Sequence, residues 1–395
     1  VDGLNDAAAR LQQGLRINSR RFIKNQPQIS DPAEHRGSDG FFPVKCKFDP
    51  SLGTRHGGRF SPSDIGARRF TFRRRGGLHG RRGGLHGGYE SATVRVHSDG
   101  KVTVFSGSHS HGQGHDTAFS QLAADTLGIS MDHIELVQGD TDRVPFGNGT
   151  WGSRSASVGG VAIVMAADKI VEKARKLAAH VLECASEDLE YEDGFFRVWG
   201  TDRSIGFAEV ADIAYHGARL PEDRSMMPGL EETVFYEPTD TNDPQAMHLA
   251  AVIVDADTGV VKVRDYFTSD DCGRIINPMI VEGQIHGGLA QGIGQAMLEH
   301  VVYDDDGSGQ LIAGSFMDYA MPRATDMPDN LDLTFQEIPC PSNILGVKGG
   351  SETGTIGPPA TIGNAVVDAL WHLGVRHVEL PLTSHNVWRA LQEAG

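Results

Sequence analysis

The fold is decided by residues 92–104, which read ATVRVHSDGKVTV. Alternating Ala and Val residues lie on both sides of the turn sequence Ser98-Asp-Gly100. Side chains alternate between the two faces of a strand, and a glycine-containing turn between two such runs is typical of a β-hairpin. The stretch therefore predicts two antiparallel strands with an apolar face.

The same pattern recurs twice, at residues 250–263 around Asp257-Thr-Gly259 and at residues 301–316 around Asp306-Gly-Ser-Gly309. Apolar residues with helical spacing lie between these hairpins. They predict four helices, over residues 117–127, 157–183, 279–299 and 361–373. Hairpins interspersed with helices favour an α+β fold with mixed sheets over a doubly wound parallel sheet.

Residues 1–89 differ from the rest of the 395-residue chain. They are basic and glycine-rich although the whole chain has a formal net charge of -16, and they contain the heptad RRGGLHG twice, at 74–80 and 81–87. We expect this segment to be disordered or a disrupted remnant. Residues 90–395 are predicted to form the folded part, with two subdomains over about 90–245 and 246–395.

Several classes of protein are disfavoured by composition. The cysteines Cys46, Cys184, Cys272 and Cys340 are widely spaced, which argues against a disulfide framework, a zinc site or an iron–sulfur cluster. No apolar run reaches the ~18 residues of a membrane span, and no secretory leader is recognisable. The basic segment lacks interleaved aromatic residues. We therefore expect a cytoplasmic protein with neither membrane nor nucleic acid as partner.

Four glycine-rich segments combine flexible backbone with hydrogen-bonding side chains. The first is 107–117 (GSHSHGQGHDT), the second 147–155 (GNGTWGSRS), the third 270–295 and the fourth 346–359 (GVKGGSETGTIGPP). Glycines let the backbone approach a bound group, and a helix that begins after such a turn offers N–H donors to an anion. Glu352, in the fourth segment, is a candidate general base.

Each segment also has a simpler interpretation. His109, His111 and His115 are candidate metal ligands, which would suit a metal hydrolase, although no carboxylate is spaced to join them. Arg154 suits a phosphate or, equally, an ion pair beside a capping Ser. Five glycines within the helix of the third segment require close packing, either by another helix or by a cofactor.

Together the segments resemble the molybdenum-binding large subunit of the molybdenum hydroxylases, the family of xanthine dehydrogenase, aldehyde oxidoreductase and aerobic carbon monoxide dehydrogenase. The resemblance rests on GQGH at 112–115, GTWGSRS at 149–155, DCG at 271–273 with INP at 276–278, EGQIHGG at 282–288 and GVKGGSE at 346–352. It runs from about residue 88 to about residue 390 and covers only the C-terminal half of such a subunit.

The resemblance implies molybdopterin with molybdenum, as the cytosine dinucleotide, and hydroxylation of an aldehyde, an N-heterocycle or carbon monoxide with water-derived oxygen. Glu352 corresponds to the catalytic base. No side chain of the chain is expected to ligate the metal. Cofactor contacts are implied for the pterin at Gln113, Gly114, His115, Lys348 and Gly349, for the phosphate or dinucleotide at Thr150, Gly152, Ser153, Arg154 and Ser155, and for the cofactor tail at Cys272, Asn277 and Gln284.

The resemblance also implies partners. Electrons would leave through iron–sulfur clusters and FAD on other subunits of a hetero-oligomer, and the missing N-terminal half would be supplied in cis or in trans. The segments that shape the substrate side of the metal in this family, Gly-Gly-x-Phe-Gly and Ala-Tyr-Arg, are absent from the sequence. The sequence therefore leaves the substrate open, and with it whether the chain is one half of a split subunit or an inactive truncated fragment.

Overall fold

The computed structural model describes residues 88–221, 226–240, 242 and 244–394, together with the backbone of 65–73. Predictions for 1–64 and 74–87, including the repeated heptad, lie outside the described residues. The strands are β1 Ile65–Arg73, β2 Glu90–Val96, β3 Val102–Ser106, β4 Ile134–Gln138, β5 Leu189–Glu192, β6 Phe195–Val198, β7 Ser204–Gly206, β8 Leu230–Tyr236, β9 Gln245–Val254, β10 Val261–Asp271 and β11 Asn330–Phe335. The α-helices are α1 His115–Leu127, α2 Val161–Val181, α3 Phe207–Ala214, α4 Pro278–Met297, α5 Thr353–Leu370 and α6 Ser384–Ala394.

The first sheet has the order β4-β3-β2-β8 and contains the predicted hairpin. Val94 in β2 lies opposite Val104 in β3 in an antiparallel pair, and β4 joins β3 in parallel. Helix α2 packs across β2 and β8. The alternating Ala and Val residues are buried there, and each fully buried Val contributes about 2 kcal/mol. The hairpin predicted at 92–104 is thus confirmed.

The second sheet has the order β1-β9-β10-β11, and its central pair β9–β10 is the hairpin predicted at 250–263. Strand β11 adds in parallel to β10. Helices α4 and α5 pack against each other, and α5 packs against β9 and β1. Strand β1 pairs along its whole length with β9. It lies inside the segment 1–89 that the sequence separates from the folded part, so at least these nine residues belong to the sheet.

Three of the four predicted helices match α1, α2 and α4 within a few residues, and α2 is preceded by a π-helical turn over Ser155–Gly160. Helix α5 begins eight residues earlier than predicted, directly after Glu352, and contains Pro358 and Pro359 in its second turn. The predicted hairpin at 301–316 is present only in reduced form. The chain reverses around residues 306–309, where one antiparallel bridge joins Tyr303 and Leu311, but no full strands form on either side of the turn.

Mixed sheets with helices packed on them confirm the α+β class. Buried residues form two clusters, one within 92–234 and one within 250–387. The proposed boundary near residue 245 falls between them and stays a prediction. A small sheet, β5-β6-β7, with α3 completes the first cluster and was not foreseen. None of the helices in the described part is both long and apolar enough to cross a membrane.

Candidate functional site

The four glycine-rich segments, far apart in sequence, meet at one place. Thr150 Oγ1 donates to the carbonyl oxygen of His109, which joins the first segment to the second. The backbone N–H of Lys348 donates to the carbonyl oxygen of Cys272 (2.8 Å), which joins the third to the fourth. Gly114 packs so closely on Ile280 that a Cβ would contact its side chain, so the first and third segments also touch.

Glu352, in the fourth segment, contacts the second segment at this junction. It occupies the position before the first residue of α5 and is partly buried. Ser153 Oγ, from the second segment, donates a 2.6 Å hydrogen bond to Glu352 Oε2. Ser153 has a φ of 58°, a left-handed conformation that is uncommon outside glycine. A Cβ on Gly349 would overlap the carbonyl oxygen of Ser153, so only glycine allows the fourth segment to lie against the second.

Asn242 holds the same two segments together and had no sequence signal. Its side chain is 4% exposed, donates from Nδ2 to Ser157 Oγ (2.8 Å) and accepts from the N–H of Gly349 (3.1 Å). A buried amide with both ends bonded fixes the separation of the loops that it joins. It lies between β8 and β9 in an irregular stretch with no glycine framework, which is why sequence reasoning missed it.

Arg154 forms an ion pair inside the protein, which was the simpler of the two interpretations of this residue. Its guanidinium is buried and donates from Nη1 to Glu90 Oε2 (2.7 Å) and to the carbonyl oxygen of Gly149 (2.9 Å), and from Nη2 to the carbonyl oxygen of Tyr89 (2.9 Å). These contacts engage the guanidinium with protein groups, so that Arg154 fixes the shape of the loop that contains Gly149.

Glu90 is the second residue that the sequence did not reveal. It begins β2, is fully buried, and accepts from the N–H of Asn148 (3.2 Å) and from Ser108 Oγ (3.4 Å) as well as from Arg154. One carboxylate thus ties the start of β2 to the first and second segments. In the sequence, Glu90 looks like an ordinary strand residue. Its partners are distant in sequence and come close to it only in the folded protein.

The first segment ends at the start of α1. His115 is its first residue, is 4% exposed, stacks on Phe119 with ring centroids 4.5 Å apart, and has Nδ1 3.3 Å from Gln138 Oε1. Burial lowers the pKa of His115, so its imidazole is neutral near pH 7. Gln113 accepts from the N–H of His111 and remains partly exposed beside Gly114.

A histidine-bound metal receives no support. Among the described residues, no group of three or more His, Cys, Asp or Glu side chains is arranged to hold a metal ion. His109 Nδ1 lies 3.4 Å from His111 Nδ1, while His115 is turned toward Gln138.

The third and fourth segments share a buried ion pair. Lys348 Nζ lies 2.5 Å from Asp271 Oδ2, and both side chains are largely buried. Cys272 lies beside them, and its Sγ would contact a Cβ on Gly350. Burial, reinforced by the carboxylates of Asp270 and Asp271, raises the pKa of Cys272 to about 12. The thiol is therefore neutral and poorly suited to nucleophilic or metal-binding chemistry.

Packing against the neighbouring helix α5 accounts for two of the five glycines in α4. A Cβ on Gly288 would meet Gly354, and a Cβ on Gly292 would meet Pro358. Gly283 and Gly287 face open space. Asn277 caps the helix by accepting from the N–H of Ile280 (3.2 Å). Gln284 is partly buried one turn into α4.

Comparison with known proteins gives a consistent result. Residues 70–328 match the family described as the molybdopterin cofactor-binding domain. The chain is 41% identical over 307 residues to the carbon monoxide dehydrogenase large chain of Hydrogenophaga pseudoflava, covering 78% of this chain and 38% of that one. It is 40% identical over 304 residues to the nicotine 6-hydroxylase large subunit of Paenarthrobacter nicotinovorans, covering 76% and 37%.

Among solved structures, a Cu,Mo-CO dehydrogenase superposes with a TM-score of 0.77 and 35% identity, over 84% of this chain and 41% of that one. The chain thus spans about two fifths of the length of the relatives that it matches. The matched domain covers more than half of the chain and includes the first three segments of the site. The chain belongs to the molybdopterin cofactor-binding domain family of molybdenum hydroxylase large subunits.

Proposed function

We propose that the chain is the cofactor-binding C-terminal part of a molybdenum hydroxylase and that Glu352 is its general base. The reaction adds a water-derived oxygen to a carbon of an aldehyde, an N-heterocycle or carbon monoxide, and releases two electrons and two protons. The observation that carries the proposal is the position of Glu352, which starts a helix at the junction of all four segments and is oriented by Ser153.

The residues at the junction fit an extended, phosphate-bearing cofactor. Gly112, Gly149 and Gly152 have positive φ angles and open space where a Cβ would lie, so backbone there is accessible to a ligand. The start of α1 and the turn that leads into α2 lie beside them and offer N–H donors to an anion. The donor set is rich in N–H and hydroxyl groups, which suit the oxygen atoms of such a cofactor.

Contacts are assigned by segment. Gln113, Gly114 and His115 lie at the start of α1 and would hold the pterin together with Gly349 and Lys348. The phosphate or cytosine dinucleotide portion would be held by Thr150, Gly152, Ser153 and Ser155. Arg154 would stabilise the conformation of this loop through its buried ion pair with Glu90. Asn277 and Gln284 would contact the tail, and the buried Cys272 would support it.

In the proposed mechanism, the protein itself contributes one chemical step, the removal of a proton. When bound, the cofactor supplies the Lewis acidity and the two-electron redox chemistry. Glu352 accepts a proton from the water-derived oxygen as that oxygen attacks the substrate carbon. Ser153 holds the carboxylate in one orientation by donating to Oε2.

Electron transfer requires partners. Cys184 is partly buried and Cys272 and Cys340 are buried, and among the described residues they form no cluster that could bind iron and sulfide. Several relatives are themselves named as large chains or subunits of complexes. We infer a hetero-oligomer in which iron–sulfur and flavin subunits take the electrons and the rest of the large subunit is supplied in cis or in trans.

The decisive experiment is Glu352→Gln in the assembled enzyme, measured as turnover and as molybdenum per chain. We expect turnover to fall by at least a factor of about 100, because proton transfer contributes typically 10²–10⁴-fold, while molybdenum content stays unchanged. Glu187→Gln, at an exposed site far from the segments, is the matched control. Turnover comparable to the unmodified enzyme would overturn the assignment of the base, and absence of molybdenum and pterin from the unmodified enzyme would overturn the function.

A further inference from the structure

Residues 300–321, here called the arm, follow the end of α4. The arm does not form a hydrophobic core. Almost every residue of the arm is exposed, although it includes eight large apolar side chains: Val301, Val302, Tyr303, Leu311, Ile312, Phe316, Met317 and Met321. Phe316 is 84% and Met317 93% exposed. Continuous exposed apolar surface of this kind marks an interaction site, and aromatic and Met residues are enriched at the centres of protein interfaces.

The arm nevertheless has a defined shape. The N–H of Asp304 donates to the carbonyl oxygen of Gln310, and that of Ile312 to the carbonyl oxygen of Val302, each at 2.8 Å. At its base, Tyr319 Oη donates to Glu299 Oε2 (2.6 Å). Backbone bonding and anchoring thus set the conformation of the arm, while its apolar side chains remain unburied. The arm therefore presents a preformed surface to another polypeptide.

The charge of the arm indicates what kind of polypeptide binds to it. The arm carries Asp304, Asp305, Asp306 and Asp318 and no Lys or Arg. Two copies of the arm packed together would place these carboxylates near one another, which is unfavourable. A complementary surface is apolar at its centre and carries Lys or Arg opposite the three consecutive carboxylates.

The binding polypeptide is inferred from the length of this chain relative to its relatives. The match to the H. pseudoflava large chain covers 38% of that protein, so most of a related large subunit lies outside the region to which this chain corresponds. We propose that the arm is the docking surface for this remaining part of the large subunit. The proposal rests on the proposed function, since it names the surface through which the cofactor-binding part is completed.

The test is coexpression of the full chain, carrying an affinity tag, with the part of the H. pseudoflava large chain outside the aligned 307 residues. We expect the two polypeptides to copurify. The double substitution Phe316→Asp and Met317→Asp should lower recovery of the partner at least tenfold. The matched control, Trp199→Asp and Met227→Asp, changes side chains that are 73% and 75% exposed elsewhere and should leave recovery unchanged.

Thermal unfolding of both double variants, within about 2 °C of the unmodified chain, establishes that the fold is intact. Failure of the unmodified chain to retain the partner, or equal retention by the arm variant, overturns the proposal. So does a dimer of the tagged chain that the arm substitutions dissociate, because a second copy would then cover the arm. None of these readouts involves turnover, so they are independent of the Glu352→Gln result.

Discussion

Ser153 and Glu352 are 199 residues apart in sequence and are joined by a 2.6 Å hydrogen bond from Oγ to Oε2. The Ser has the left-handed backbone conformation, with φ at 58°. A strained, non-glycine residue whose side chain reaches a candidate base indicates that the hydroxyl is needed at that point.

Removing this hydroxyl should leave the Glu352 carboxylate without the contact that orients it. In the assembled enzyme, we expect Ser153→Ala to lower kcat about tenfold, since a hydrogen bond to a charged group contributes about 1.5–3 kcal/mol. Ser153→Gly is the informative second variant: it relieves the backbone strain but also lacks the hydroxyl. Full activity in that variant would contradict the orienting role.

Close packing of Gly349 on Ser153 gives a second prediction. A Cβ at position 349 would overlap the Ser153 carbonyl oxygen, so Gly349→Ala must displace one of the two loops. We expect a loss of about 1–3 kcal/mol in the free energy of unfolding and at least fivefold less molybdenum in the assembled enzyme. Gly363→Ala in α5 is the control, because open space surrounds that position and Ala favours a helix. Normal molybdenum content in the 349 variant would refute the argument.

The buried pair Glu90–Arg154 should contribute far more to stability than a surface pair. Glu90→Gln leaves the Arg154 guanidinium buried without its counter-charge, and we expect the free energy of unfolding to fall by about 3–5 kcal/mol in urea titrations. Glu231→Gln breaks a pair of similar geometry, 2.7 Å from Arg95 Nε, whose side chains are nearly half exposed. That control should cost less than about 1 kcal/mol. Equal losses would show that burial does not decide the effect.

The sequence predicted much of the fold because its information is local. Alternation around 98–100 and 257–259 specifies two hairpins, and glycine framing identifies Glu352 and its companion segments. At 301–316 the same alternation predicted the turn but not the absence of full strands, since a pattern of apolar residues does not say whether a neighbouring strand is present. The structural roles of Glu90 and Asn242 could not be predicted from the sequence for the same reason. Their roles arise from partners 64 and 107 residues away, and nothing in their own neighbourhood distinguishes them from ordinary polar residues.

The last prediction concerns pH and the buried imidazole of His248. It lies in β9, fully buried, with Nδ1 2.8 Å from Tyr266 Oη, and burial lowers its pKa to about 4. The unfolded chain, with a His pKa of about 6.5, therefore binds a proton before the folded chain does. Stability falls as the pH drops from about 6.5 to about 4, by about 3 kcal/mol in total. Urea titrations across this range should show the loss, and His248→Gln should remove most of it because Gln does not titrate. His372→Gln, at an exposed site, should leave it unchanged, whereas an undiminished loss in the 248 variant would mean that another group is responsible.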